Sequence, residues 1–130
     1  MTVERINPDS LAKPVGFSHA VVAEGRIVFL AGQTALDASG KVVGDGVVAQ
    51  FEVALGNLLT ALRAAGGSSD KLTSLTIYIT DMDDYKTHSR EIGAVWRRLV
   101  GTDYPAMAGI GVTRLWDAEA LIEVQGYAVI

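Results

Sequence analysis

Apolar and polar positions change their period several times along this chain, and each change marks an element. Val3 to Asn7 suits a short edge strand, after which Pro8, Pro14 and Gly16 break the chain into loop. Phe17 to Ala23 is apolar and β-rich. Glu24-Gly25 reads as a tight hairpin turn, and Arg26 to Ala31 is apolar enough for a central strand covered on both faces. Asp37 to Gly46 is polar and glycine-rich and reads as loop, with Asp45 placed to cap a helix. Val47, Phe51, Ala54, Leu55, Leu58, Leu59 and Leu62 then recur at helical spacing, and Gly66-Gly67 stops that helix.

Leu72 to Ile79 alternates and is rich in Thr and Ile, which predicts a strand. Asp81 caps a second helix whose apolar stripe is Met82, Tyr85, Ile92, Val95, Trp96 and Leu99, ended by Gly101. Tyr104 to Leu115 is a strand entered through Pro105. Its faces are Ala106, Ala108, Ile110 and Val112 on one side, and Met107, Gly109, Gly111 and Thr113 on the other. The glycine-bearing face offers little to pack, the mark of a bulge, a close backbone or a pocket. A turn at Trp116-Asp117 leads to a last strand, Ala120 to Ile130.

Strands interrupted by two helices predict an α+β layer, a mixed sheet with both helices on one face. So short a chain, expected to form a single domain over residues 1–130, has no third layer for the other face. Burial against copies of itself is the economical solution.

Composition narrows the functional classes. A chain that is 49% hydrophobic and 20% charged can bury a core. Its net charge of −4 and its scattered Lys and Arg argue against nucleic acid and against an anionic membrane surface. Without cysteine there is no disulfide, thiolate nucleophile or cysteine-ligated metal. His19 and His88 lack a clustered carboxylate motif, Asp81, Asp83 and Asp84 serve helix capping, and Gly44 to Gly46 lacks Walker spacing; neither a metal site nor a phosphate loop is expected. Met1 to Asp9 is charged and no apolar run approaches the roughly 20 residues of a membrane span, so the expected location is cytoplasmic.

Taken in order, Gly16-Phe17-Ser18, Ala31-Gly32-Gln33, Gln50, Ala64-Ala65-Gly66-Gly67, Asp81-Met82-Asp83-Asp84-Tyr85, Pro105-Ala106, Val112, Arg114-Leu115 and Ile122-Glu123-Val124 resemble the RidA/YjgF family, also labelled endoribonuclease L-PSP, over nearly the whole chain. The resemblance implies a chorismate-mutase-like fold with a mixed six-stranded sheet. It implies a homotrimer around a central barrel, with a small-molecule ligand in clefts between subunits. Archetypal members hydrolyse reactive imines and enamines such as 2-aminoacrylate, without a cofactor.

The resemblance also marks departures. The archetypal carboxylate-clamping arginine is replaced by Met107, the cysteine by Gly109, the tyrosine by Phe17, the serine or threonine by Ala31, and the asparagine by Ser89. Glu123 matches the carboxylate that positions the attacking water. The chain thus resembles a branch lacking the arginine, and activity on 2-iminoacids is expected to be weak or absent.

The expected site has Glu123 as catalytic base, with Phe17, Ala31, Gly32, Ser89, Met107 and Gly109 shaping a ligand pocket. Two readings of Glu123 stay open: a general base with a raised pKa, or an interface residue bonded to amides or to a neighbouring arginine. Met107 and Gly109 either line a surviving pocket, the expectation here, or fill a closed cleft. Arg90 and Arg114 are candidates to replace the missing clamp. Trp96 and Trp116 read as core and turn packing. The alternative function is a non-catalytic trimeric module binding a metabolite or protein; ribonuclease activity fits the acidic chain least.

Overall fold

The computed structural model describes residues 3–130; Met1 and Thr2, which open the charged N-terminal stretch, lie outside the described residues. The element order is β1 (Val3–Ile6), β2 (Ala20–Ala23), β3 (Ile27–Gln33), α1 (Val47–Ala64), β4 (Leu72–Ile79), α2 (Met82–Thr87), α3 (Ser89–Leu99), β5 (Ala106–Gly111) and β6 (Ile122–Val129), with a 3-10 turn at Ser69–Lys71. The α+β class stands, with three α-helices rather than two. The second predicted helix is interrupted at His88, whose backbone leaves the helical region.

The predicted six-stranded sheet is divided. β1 and β2 pair antiparallel as one unit, while β3-β6-β4-β5 form a mixed four-stranded sheet in which only β4 and β5 run parallel. A single parallel bridge, Ser18 with Ala106, links the strand-like stretch before β2 to β5. The predicted hairpin at Glu24-Gly25 is absent, and β3 pairs with β6 instead of β2. The backbone explains this. A type I′ turn needs positive φ at both central residues, and no described non-glycine residue has it. A II′ turn wants glycine first, whereas here it comes second. β3 is consequently an edge strand, not a central one, with Phe29 74% exposed.

α1 buries its whole predicted stripe. Its N-cap is Gly46, with φ +89, and not the expected Asp45. Asp81 does cap α2, accepting the Asp84 amide at 3.0 Å. The helices cover one sheet face, where Ile122, Val124 and Ala128 of β6 and Leu75, Ile77 and Ile79 of β4 join the core. Gln50 ties the layers together. Its side chain accepts the Leu121 amide at 2.8 Å and donates to the Glu119 carbonyl at 3.1 Å, fixing the chain that enters β6. A buried amide satisfied at both ends in this way costs little and specifies position.

The opposite sheet face carries no helix. Across it the strand register aligns Glu123 with Tyr78 and Ile110, Gln125 with Thr76 and Ala108, and Phe29 with Tyr127. The Phe29 and Tyr127 rings meet edge to face, with centroids 5.5 Å apart. Trp116 is 91% exposed on its turn and does not pack there as expected.

Candidate functional site

Alternation along β5 and β6 decides where the candidate residues lie. Met107 pairs with Leu75 and Gly109 with Ile77, both core positions, so these two look toward the helices. Glu123 pairs with Tyr78 on the helix-free face. Within one chain the expected site is therefore two groups on opposite faces of the sheet.

The first group is Glu123 with Gly32 and Ala31. The carboxylate rests against Gly32, where a Cβ would stand 2.7 Å from Oε1. This contact exists because β3 bulges between Leu30 and Gln33, carrying Gly32 beside β6. Among the described residues no side-chain hydrogen bond or ion pair engages the carboxylate. Nearby, the Tyr78 hydroxyl donates to Gln125 Oε1 at 3.3 Å.

The second group surrounds a cavity of about 380 Å³ between α3 and the sheet. Met107, Phe51 and Ile77 form its apolar floor, and Trp96, Tyr104 and Tyr85 its aromatic walls. Ser89, Arg90 and Arg97 bring polar groups from α3, and Gly16 borders it from the loop before β2. Trp96 and Tyr104 stack, with centroids 6.0 Å apart and ring planes 16° from parallel. Burial raises the Tyr85 phenol above its ordinary pKa, so it stays a protonated donor at neutral pH. The Ser18 amide and hydroxyl both donate to the chain entering β5, at Pro105 and Tyr104 carbonyls. They hold the Gly16-Phe17 loop at the cavity's edge.

Phe17 is half-buried beside this loop and meets His19 edge to face at 5.2 Å. Gly109 and Gly111 do not line the cavity. Ile79 Cδ1 and Met82 Cε lie 3.6 and 3.9 Å from where their Cβ atoms would be. The space opens beside Met107 instead. Arg114 is engaged locally, donating to the Leu115 and Trp116 carbonyls, whereas Arg90 reaches the cavity. Trp96 is core, as expected, and also borders the cavity, together with Arg97, which the sequence showed only as one of its scattered basic residues. The signal was Gly93, a glycine inside an amphipathic helix, which thins the cavity wall.

A stacked α+β layer with a carboxylate on one sheet face and an arginine-rimmed cavity behind the other defines the class. The chain belongs to the endoribonuclease L-PSP family, whose model matches residues 8–130. The fold is similar to the crystal structure of a protein of unknown function of the conserved Rid protein family from Yersinia pestis, with a TM-score of 0.90, 33% identity and 100% of both chains covered. The RutC family protein UK114 of Drosophila melanogaster is 32% identical over 126 residues, 95% of this chain and 87% of the relative. The 2-iminobutanoate/2-iminopropanoate deaminase of Homo sapiens is 27% identical over 114 residues, 87% of this chain and 79% of its own length.

Proposed function

We propose that this protein is a homotrimeric hydrolase of a small imine- or enamine-like metabolite, acting without a cofactor, whose site is completed between subunits. One observation carries the reading: Glu123 with Gly32 and the cavity beside Met107 lie on opposite faces of one sheet. A cleft containing both takes two chains. The helix-free face, with Phe29, Ile27, Ile110 and Tyr127 exposed, is apolar enough to pair with copies of itself around a central barrel. The deaminase name of the human relative favours imine chemistry.

In this reading Glu123 removes a proton from water as its oxygen adds to the carbon of the C=N bond. Glu123 returns that proton to the nitrogen, giving a carbinolamine, whose hydroxyl proton passes to the amine as the C–N bond breaks to leave a carbonyl compound and ammonia. Met107 offers no charge where family archetypes clamp a carboxylate, so small 2-iminoacids are poor substrates. Ammonia release from a panel of imines, compared between the native protein and Glu123→Gln, tests the proposal. The expected result is turnover of at least one imine that Glu123→Gln loses by 10²-fold or more. Equal rates in the two proteins, or ligand binding with no turnover of any imine, would leave the non-catalytic binding module as the correct description.

A further inference from the structure

Arg90 and Arg97 stand seven residues apart on α3, roughly 10 Å along the axis. Both line the cavity beside Met107, and among the described residues neither makes a hydrogen bond or ion pair. Arg98, between α3 and α1, does the ordinary thing and pairs with Glu52 at 2.7 Å.

Arg97 also runs back toward the helix start. Its Nη1 lies 3.2 Å from the point where a Cβ on Gly93 would stand. Gly93 is only three residues, about 4.5 Å of rise, beyond Arg90. The missing side chain at position 93 leaves room for Arg97 Nη1 over the helix, while Arg90 lines the same cavity from the helix start. Glycine in a helix interior is destabilising against alanine, so its presence asks for a reason.

The rest of the cavity complements this cationic end. Trp96 is only 4% exposed, and its indole N–H is buried without a protein partner. The other walls are apolar or aromatic, and the volume sits at the small end of the roughly 300–1,000 Å³ usual for ligand pockets. In a chain of net charge −4, attraction for an anion must come from local cations such as these.

We infer that this cavity takes a carboxylate carrying a single aromatic ring, with Arg90 and Arg97 as its anion partners in place of a cation at position 107. The inference rests on the cavity being the ligand side of the proposed cleft and names the class of molecule it accepts. The ring stacks among Trp96, Tyr104 and Met107, and the carboxylate lies toward α3.

Calorimetric titration of the native protein with phenylacetate, phenylacetamide and acetate tests this. Phenylacetate should bind at least tenfold more tightly than the neutral amide or the ringless anion. Arg90→Gln and Arg97→Gln, both at exposed positions, should each weaken phenylacetate about tenfold and leave phenylacetamide unchanged. Equal affinity for the amide, undiminished binding by the double variant, or no binding of phenylacetate at millimolar concentration overturns the inference. Turnover is not the readout: arginine-dependent binding without hydrolysis supports this inference and counts against the hydrolase reading alone.

Discussion

Glu123 and Gly32 are in contact because position 32 has no side chain; a Cβ there would reach within 2.7 Å of Oε1. The obstructed atom is the end of a flexible side chain, so Gly32→Ala should move the carboxylate and barely disturb the fold. Displacing a base by about 1 Å can cost 10²-fold in rate. Gly32→Ala should therefore lower imine turnover by one to two orders of magnitude with a thermal midpoint close to the native one. A fully active Gly32→Ala protein would remove Glu123 from the mechanism.

The helix-free sheet face leads to a prediction about assembly. In solution the protein should show three times the 13.7 kDa chain mass by light scattering. Phe29 is largely exposed in one chain, and burying such a ring contributes roughly 1.5–3 kcal/mol. Phe29→Asp repeated in three subunits should dissociate the assembly at micromolar concentration. A monomeric native protein contradicts the proposed cleft.

Met107→Arg places a cation where Met107 now closes the cavity floor. It should raise activity on small 2-iminoacids at least tenfold, because a bidentate partner for their carboxylate is then present. The same change should weaken phenylacetate by shrinking the apolar floor. If activity is unchanged, something other than the lost cation limits catalysis.

Two glycines should respond in opposite directions. At Gly126 a Cβ would lie 2.3 Å from the Ser74 carbonyl oxygen, and neither strand backbone can yield. Gly126→Ala should cost about 3 kcal/mol or more in urea unfolding. Gly56, inside α1, has nothing within 4 Å of its Cβ position, and Gly56→Ala should add about 1 kcal/mol. Reversed signs would mean that the β4–β6 register is not as described.

His88 makes the α2–α3 junction sensitive to pH. Its ring nitrogen contacts the Asp84 carbonyl at 2.8 Å and the Asp84 carboxylate at 3.2 Å. The bond to that carbonyl, helped by the charges of Asp84 and Glu91, raises its pKa above the ordinary 6.5. A raised pKa means that folding favours the protonated ring. This stabilisation is complete below about pH 6.5 and fades as pH rises through the higher folded value. The thermal midpoint of native protein relative to His88→Gln should shrink across that window. A difference independent of pH would show that the ring acts only by packing.

Local pattern was enough for much of this molecule. The α1 stripe from Val47 to Leu62, the Asp81 cap and the alternation of β4 were readable because each depends on neighbours a few residues away. The ordered motifs around Gly32, Pro105 and Glu123 likewise carried the family, which the match over residues 8–130 establishes. Pairing was not readable. An apolar Arg26 to Ala31 looks the same whether β3 is central or at an edge, and Glu24-Gly25 looks like a turn until the backbone angles are known. The cavity was hidden for a related reason: Arg90, Trp96 and Arg97 of α3 meet Met107 of β5 only through how α3 lies over the sheet.

Periodicity, capping residues and motif order thus reached the elements, the α+β class and the family, since those reside in chain neighbours and side-chain identity. The division of the strands into two sheets, the placement of Glu123 against Gly32 and the meeting of α3 with Met107 around one cavity were decided by tertiary packing. Each depends on groups distant in sequence competing for the same backbone partners and the same volume.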